Sequence, residues 1–330
     1  MYKRQDLKGA AYQVTDVKKG ERVKKAPLPF TTSTLQQEAS KVLNFSTQKT
    51  MRIAQQLYEG VEIKGSGTVG LITYLRTDST RVSEEAEAMS HKFITENYGG
   101  EYAADVHTKE KEGKKIQDAH EAIRPTDIER VPSEIKDSLS REQFRLYQLI
   151  WKRFTASRMA SAVYETTSVK IDANGYRFTV AASKVKFDGF MSVYTQEEDE
   201  KAEGNKMLGS LDEHTKLSWE SFDSKQHFTQ PPAHYTEASL VRTLEEQGIG
   251  RPSTYAPTIT TILARRYIVK EAKNLYVTEL GEAVNNIMKT AFPSIVDVSF
   301  TANMESLLDS VEEGGVNWKV VVSNFYPDLH

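Results

Sequence analysis

Hydrophobic and polar positions follow a helical period in the first third of the chain. Between residues 33 and 60, "STLQQEASKVLNF" and "STQKTMRIAQQLYEG" carry apolar residues at spacings of three and four, and each begins with a Ser-Thr pair suited to a helix N-cap. Gly60 is expected to end the second helix. Further helices are predicted at 116–124 and 140–160, and another is predicted to begin after Ser83.

The pattern changes to alternation between residues 162 and 228. There, "VYETTSVKI", "YRFTVAAS" and "KLSWESF" place apolar and polar residues at alternate positions, which is typical of half-buried strands. "DANG" between the first two is a hairpin signal. Near the amino terminus, "AAYQVTDV" predicts one further strand, followed by a charged turn. We therefore predict a mostly antiparallel β region, interrupted by an acidic loop at 197–204.

Helical spacing returns from Thr236 onward. Two helices are predicted by "YTEASLV" and "GIGRPSTYAPTITTILARRYI", and "YIVKEAKNLYVTELG" predicts a short hairpin before more helices. A helix, a turn, a second helix and a two-stranded wing resemble a winged-helix arrangement, which often binds nucleic acid. The predicted fold class is multidomain α+β, because 330 residues are long for one core.

Composition excludes several classes of function. The chain has no cysteine, which excludes disulfides, thiolate nucleophiles and cysteine-based zinc sites. No apolar run approaches the roughly 18 residues of a membrane span, and the amino terminus lacks a secretory h-region, so we expect a cytoplasmic protein without a membrane partner. The net charge is −3, but residues 1–30 hold eight Lys or Arg against three acids, so local basic sites are compatible with it.

Two motifs with familiar spacing fail on their context. "GSGTVG" matches the dinucleotide-binding G-x-G-x-x-G, yet it follows a predicted helix and opens a predicted strand, the reverse of the required order. "HEAIR" at 120–124 is similar to the zinc-protease HExxH, but Arg124 stands at the second histidine position and cannot ligate a metal. Dinucleotide binding and metalloprotease chemistry are both rejected.

"GLITYLRTDSTR", residues 70–81, contains a candidate nucleophile. In a strand at 71–77, Tyr74, Arg76 and Asp78 would share one face. A phenol is almost wholly protonated at neutral pH, so a tyrosine nucleophile needs a nearby cation, and arginine is also suited to hold two phosphoryl oxygens. The pair indicates attack on a phosphodiester, and an ordinary strand with a polar face is the alternative.

Two other segments are candidate anion sites. His120 and Arg124 lie four residues apart on one face of the predicted helix, with a solvated helix end as the alternative. In "GIGRPSTYAP", Arg251 precedes a helix for which Ser253 or Thr254 is the predicted N-cap, and free backbone N–H groups beside an arginine suit a phosphate. The alternative there is a simply capped helix.

Several long stretches resemble the type IA DNA topoisomerases of bacteria. They are "PFTTSTLQQEASKVLNFSTQKTMRIAQQLYEG", "GLITYLRTDSTRVSEEA", "QDAHEAIRPT", "KFDGF", "PPAHYTEASLVRTLEEQGIGRPSTYAPTI" and "FTANMESLLD". They occur in the order found in the family, from about residue 29 to residue 309. The opening "MYKRQ" has no such resemblance.

The resemblance implies roles for individual residues. Tyr74 matches the tyrosine that attacks single-stranded DNA and becomes linked to a 5′ phosphate, and Arg76 matches the arginine that steadies the scissile phosphate. His120 and Arg124 match an element near the path of the nucleotides. The matches to the family's DNA-binding element are Arg251, Ser253 and Thr254. The implied activity is ATP-independent strand cleavage, strand passage and religation, which relaxes negative supercoils.

The resemblance also implies a domain organisation. It assigns 31–159 to a helical gate domain with the active-site tyrosine, 1–30 with 160–229 to an antiparallel β arch, and 230–330 to a helical, winged-helix-like DNA-binding domain. Family members begin with a Toprim domain, whose acidic residues bind Mg²⁺, and end with cysteine zinc ribbons. Neither has a counterpart in this sequence, so we expect a fragment without a metal site of its own, inactive alone.

The expected partners are single-stranded DNA and negatively supercoiled duplex DNA, bound by a monomer. A second hypothesis is that the chain acts only as a single-stranded DNA-binding module, with salt-sensitive binding and no covalent adduct. A third is a tyrosine recombinase, but such enzymes carry their tyrosine near the carboxyl terminus, and Tyr74 lies too early in the chain.

Overall fold

The computed structural model of the protein describes residues 6–104, 120–195, 212–218, 220–221 and 225–329. The chain divides into two compact units. Unit 1 consists of Met1–Pro27, Ser90–Val106 and Thr155–Pro231, and unit 2 consists of Leu28–Met89, His107–Phe154 and Pro232–His330.

Unit 1 is organised around an antiparallel sheet. Its strands are β1 (Tyr12–Lys24), β4 (Ala162–Ala173), β5 (Tyr176–Phe187) and β6 (Lys216–Leu217), in the spatial order β5-β4-β1-β6. The predicted hairpin at "DANG" is confirmed, because Asn174 and Gly175 both have positive φ, at 52° and 79°, and join β4 to β5. Positive φ at both loop residues is the conformation that favours Asn-Gly in a two-residue hairpin.

Strand β1 is longer than its sequence pattern predicts. The charged segment after residue 17 was predicted to be a turn, but the strand continues to Lys24 and pairs with β4 along its whole length. Its long cationic side chains are compatible with the ladder because they stay exposed or stack on neighbours, as the guanidinium of Arg22 does 4.5 Å from the Tyr164 ring centroid. Cross-strand pairing thus extends a strand that alternation alone would end early.

Among the described residues, four α-helices precede β4. They are α1 (Thr32–Glu38), α2 (Thr47–Glu59), α3 (Glu84–Tyr98) and α4 (Arg141–Ser157). The cap of α1 is Thr31, two residues earlier than the predicted Ser33, whereas the caps predicted for α2 and α3 are confirmed: Ser46 accepts from the Lys49 N–H, and Ser83 accepts from the Ala86 N–H. Helix α2 ends at Gly60, as predicted, and leads into the hairpin β2 (Val61–Ile63) and β3 (Gly67–Val69).

The carboxyl-terminal part of unit 2 has the predicted helix, helix and wing. Helices α5 (Glu237–Glu246) and α6 (Tyr255–Ala264) pack through Val241, Tyr255 and Ile259, and they are followed by the hairpin β7 (Ile268–Glu271) and β8 (Asn274–Val277). The described residues after the hairpin form four more helices: α7 (Glu279–Ala291), α8 (Pro293–Val296), α9 (Val298–Glu312) and α10 (Trp318–Leu329).

A buried carboxylate joins three elements of unit 2. Glu237, the first residue of α5, is 3% exposed and accepts hydrogen bonds from the N–H and hydroxyl of Thr47 at 2.7 and 2.9 Å, and from Lys270 Nζ at 2.7 Å. Burial disfavours its charge, but the bonds from Lys270 and Thr47 and the charge of Lys270 together lower the pKa of Glu237. The ionised carboxylate therefore fastens the beginning of α2 to α5 and the wing.

Candidate functional site

The segment that contains Tyr74 does not form a strand, and its backbone bends at Thr73, Leu75 and Arg76. The prediction of a strand over 71–77 is wrong, because the backbone groups there bond to several different elements. The Leu71 N–H donates to the Leu57 carbonyl at the end of α2, and the Thr73 N–H donates to the Arg124 carbonyl. One isolated bridge, from Ile72 to Pro125, takes the place of a ladder.

Side chains nevertheless alternate along this segment. Leu75 and Thr77 are buried at 1% and 2% exposure, Arg76 and Asp78 are exposed, and Tyr74 is half-buried. Tyr74, Arg76 and Asp78 are therefore less buried than the residues between them, but the segment is not the strand from which their common face was predicted. The burial of Leu75 and Thr77 anchors the segment against the core of unit 2.

A buried threonine fixes the backbone between Leu75 and Thr77. Thr32 Oγ1 donates to the carbonyl oxygens of Leu75 and Thr77, at 2.7 and 3.1 Å, and accepts from the Thr77 N–H at 2.9 Å. The backbone of Thr32 also donates to Thr77, at 2.9 Å. Because these bonds bracket residue 76, they hold the backbone from which the Arg76 side chain extends.

Tyr74 lies between two other rings. Its ring centroid is 5.6 Å from that of Tyr58, in an edge-on arrangement, and 4.8 Å from that of His120, with a tilt of 39°. Tyr58 belongs to α2, and His120 is exposed. The structure therefore brings His120 to the candidate nucleophile, although 46 residues separate them in the sequence.

Residues 120–124 are not helical, so the predicted helix at 116–124 is wrong over this part; 116–119 lie outside the described residues. The segment is extended, and the Ile123 N–H donates to the Phe30 carbonyl at 2.8 Å. Ala122 and Ile123 are fully buried, and this burial favours pairing over an isolated helical turn. His120 and Arg124 consequently do not form an i, i+4 pair on one helical face.

The Arg124 guanidinium is occupied by protein groups. Its Nε donates to Glu121 Oε2 at 2.6 Å, and its Nη1 donates to the Pro125 carbonyl at 2.9 Å. The side chain is 14% exposed. Arg124 therefore supports the segment next to Tyr74, and its backbone carbonyl receives the Thr73 N–H.

Arg251 is also engaged by acidic residues. Its guanidinium bonds to Asp309 and lies 3.6 Å from Glu305, both on α9, and Nη1 donates to the Gly250 carbonyl. Gly250 has a φ of +79°, and a Cβ there would lie 3.0 Å from Thr254 Oγ1. A glycine is thus required at the turn that aims Arg251 toward α9.

The N-cap residue of α6 is Thr254, one of the two predicted, but the capping hydrogen bond does not form. The Thr254 hydroxyl accepts from the Arg251 N–H at 2.8 Å and donates to the Arg251 carbonyl at 3.1 Å. Ser253 instead lines a cavity. The hydroxyl of Thr254 therefore closes the turn through both backbone groups of Arg251 instead of capping the helix.

A cavity of about 600 Å³ lies within unit 2 and is lined by two of the predicted site residues, Arg76 and Ser253. It is bounded by α2, by the segment after Tyr74 and by the beginning of α6. The lining residues are Gln48, Met51, Arg52, Gln55, Leu75, Arg76, Pro252, Ser253, Ala256, Pro257, Thr260 and Thr261. Its volume is in the range of pockets that hold drug-sized ligands, about 300–1,000 Å³. Two arginines and no acid among these described residues suit an anionic ligand.

The contribution of α2 to this cavity was not predicted. Gln48, Met51, Arg52 and Gln55 recur at i, i+3, i+4 and i+7, so they form one face of the helix. The interpretation of α2 used only the opposite, apolar face. The polar stripe was the available signal, but periodicity alone does not distinguish a solvated face from a ligand-binding one.

The described residues contain no group of three or more His, Asp or Glu arranged to hold a metal ion. Within the same part of the chain, none of the helices has both the length and the apolar character that a membrane span requires.

Comparisons with a protein-family model and with solved structures both find proteins similar to this chain. The sequence model of the DNA topoisomerase family matches residues 3–323. The structure of full-length topoisomerase I from Thermotoga maritima, in a monoclinic crystal form, is similar with a TM-score of 0.89 and 40% sequence identity. That match covers 99% of this chain and 53% of the Thermotoga chain, so this chain spans about half the length of that protein.

Proposed function

The chain belongs to the bacterial type IA DNA topoisomerases, and from that premise we propose that its Tyr74 cleaves one DNA strand. The phenol oxygen attacks the scissile phosphorus, and the bond to the 3′ oxygen breaks. A 5′-phosphotyrosine and a free 3′ hydroxyl result, while the phenol gives up a proton and the 3′ oxygen gains one. Reversal reseals the strand without ATP, because the phosphotyrosine conserves the energy of the phosphodiester.

One observation carries this proposal: the half-buried Tyr74 is two residues from Arg76, and Arg76 lines an anion-compatible cavity with Ser253. Within the part of the chain that the structure describes, Arg76 makes no hydrogen bond or ion pair. Its guanidinium is therefore available to a phosphate, to which arginine can donate two parallel hydrogen bonds. The ring of His120 against Tyr74 supports a place for His120 beside the reacting group.

We further propose the domain roles implied by the family: a gate at 31–159, a β arch at 1–30 and 160–229, and a DNA-binding domain at 230–330. Two hydrogen-bonded contacts of unit 2 would then join the gate to the DNA-binding domain. Ser33 donates to Glu245 at 2.5 Å, and Thr47 donates to Glu237. Opening of the gate for strand passage requires both contacts to separate.

The proposed substrates are single-stranded DNA and negatively supercoiled duplex DNA, acted on by a cytoplasmic monomer. The proposed metal is Mg²⁺, held by a Toprim domain. The acidic residues described in this chain do not fit a metal, so none of the steps above depends on a metal ligand from it. In this proposal Tyr74 is the nucleophile and Arg76 binds the phosphate.

Covalent capture tests the proposal. An end-labelled single-stranded oligonucleotide is incubated with the chain alone and with a fusion that places the Toprim domain of a family member before it, each with and without Mg²⁺. Denaturing gels then report protein–DNA adducts. The fusion is expected to form an adduct that disappears in Tyr74→Phe, by at least about 10³-fold, because phenylalanine has no nucleophilic oxygen.

The outcomes separate the alternatives. An adduct in the Tyr74→Phe fusion would show that another residue is the nucleophile. No adduct in a fusion that still binds the oligonucleotide would favour a single-stranded DNA-binding module without catalytic activity. An adduct formed by the chain alone would show that cleavage does not need the Toprim domain.

A further inference from the structure

Arg52 extends from the cavity-facing stripe of α2. The opposite face of this helix is buried through Ile53, Ala54 and Leu57, which fixes the rotation of the helix and hence the direction of Arg52. Residue 52 consequently lines the same cavity as Arg76, although the two arginines belong to different elements. Two guanidinium groups in one cavity match a ligand with more than one phosphate.

The present counter-ion of Arg52 is weakly held. Its Nη2 lies 3.8 Å from Glu142 Oε2, and the Arg52 side chain is 65% exposed. Glu142 makes a much closer ion pair with Lys49 through its other oxygen, and the hydrogen bond from Lys49 is the main cause that lowers the pKa of Glu142. Because Lys49 already neutralises this carboxylate, Arg52 can leave it without stranding a buried charge.

The walls of the cavity suit a nucleotide. Met51, Leu75, Pro252 and Ala256 provide apolar surface, while Gln48, Gln55, Ser253 and Thr260 provide hydrogen-bonding groups. A single strand combines a backbone of phosphates with bases that present flat apolar faces. A sulfate or a small carboxylate would use the arginines but would leave the apolar wall without a contact.

We propose that Arg52 binds a second phosphate of the DNA strand that Arg76 holds, and exchanges Glu142 for that phosphate when DNA enters. This inference rests on the proposed function, because the strand concerned is the one that Tyr74 attacks. Arg52 is a substrate-binding residue, separate from the cleavage chemistry. Glu142 opposes binding as the competing anion.

Salt-dependent binding of a fluorescent oligothymidylate tests this role, with every protein carrying Tyr74→Phe so that cleavage plays no part. We expect Arg52→Met to weaken binding about fivefold to tenfold at low salt. The slope of log K against log salt should decrease in magnitude by about 0.7, the contribution of one phosphate contact on a single strand. Arg242→Met is the matched control, since Arg242 is 67% exposed, pairs with Glu246 at 2.8 Å and does not line the cavity.

A second pair of variants tests the counter-ion. Glu142→Gln is expected to strengthen binding about twofold to threefold when Arg52 is present and to have a smaller effect in Arg52→Met, where only the release of Lys49 remains. An unchanged slope in Arg52→Met, or equal losses in Arg52→Met and Arg242→Met, would overturn the proposal. Binding of free phosphate without binding of the oligonucleotide would replace DNA by a small anion as the ligand.

Different results would overturn the role proposed for Arg52 and the cleavage proposed for Tyr74. With Tyr74 restored in the Toprim fusion, Arg52→Met should still form the adduct at saturating oligonucleotide, and only the concentration needed should rise. Absence of an adduct in the fusion carrying Arg52 would overturn the cleavage function alone, since equilibrium binding is measured independently. A fall in the maximal amount of adduct with unchanged binding would contradict the role given to Arg52.

Discussion

Arg76 and Arg251 occupy two regions of unit 2 that looked alike in the sequence. Each arginine is close to hydroxyl residues and precedes a turn or helix, and each was predicted to hold a phosphate. In the structure, Arg76 lines a cavity without an acidic lining residue among those described. Arg251 instead bonds to Asp309 and lies near Glu305.

The difference shows that a guanidinium is available to a ligand only if no acidic side chain close to it in the folded protein already binds it. The acids that engage Arg251 are more than 50 residues away in the chain, on α9. Their carboxylates offer the same two-oxygen geometry as a phosphate, so they occupy the donors that a phosphate would use. The Arg76 region is anchored by a buried threonine instead, which holds the backbone, and no described residue makes an ion pair with Arg76.

The largest expected effect comes from replacing each arginine in turn, which tests whether Arg76 and Arg251 differ in function. In the Toprim fusion, Arg76→Ala should slow adduct formation at saturating oligonucleotide about 10²-fold, as expected when a donor to the reacting phosphate is lost. Arg251→Ala should slow it less than about threefold. Single-turnover capture measures both rates, and similar losses in the two variants would show that the ion pairs of Arg251 open when DNA binds.

A second prediction compares the contribution to stability of the buried carboxylate of Glu237 with that of an exposed carboxylate. Glu237→Ala should lower the free energy of unfolding by about 3 kcal/mol, because it strands Lys270 and the Thr47 N–H. Denaturant unfolding measures the effect. The matched control is Glu246→Ala, whose carboxylate is 58% exposed and should cost about 0.5 kcal/mol. Equal costs would mean that burial of Glu237 does not determine its contribution.

The hydrogen bonds of Glu237 to Thr47 and Lys270 also predict that stability depends on pH. Since the pKa of Glu237 is lower in the folded protein than in the unfolded chain, its contribution is complete above the ordinary carboxyl pKa. The contribution decreases as the pH falls through the lowered folded value. Unfolding measured from neutral to acidic pH should therefore show a smaller acid-induced loss in Glu237→Ala than in the unchanged protein.

The smallest expected effect concerns the acid that holds Arg251. Asp309→Asn should strengthen oligonucleotide binding about twofold to fivefold at low salt, because an amide competes less well for the guanidinium. The gain should vanish when Arg251→Ala is added. A gain that persists without Arg251 would indicate a general effect of net charge, and no gain would mean that Glu305, 3.6 Å away, suffices to hold the arginine.

Sequence patterns predicted the elements whose signals are local. Helix α2 has an N-cap, an apolar stripe and a terminal glycine within 15 residues, and the Asn174-Gly175 turn needs only its own two backbone conformations. The segments at 71–77 and 120–124 were assigned to the wrong element, because each is stabilised by bonds to the other and to distant groups. Their apolar residues are compatible with a strand, a helix or an extended core segment.

The sequence by itself determined the family, the candidate nucleophile and the order of helices, sheet and wing, because these depend on residue identity and on short-range periodicity. Only the tertiary structure decided that His120 meets Tyr74, that α9 engages Arg251 and that Arg52 shares a cavity with Arg76. Charge and ring contacts depend on separations of a few ångströms between residues far apart in the chain. Local pattern does not contain those separations, since they arise when the core packs.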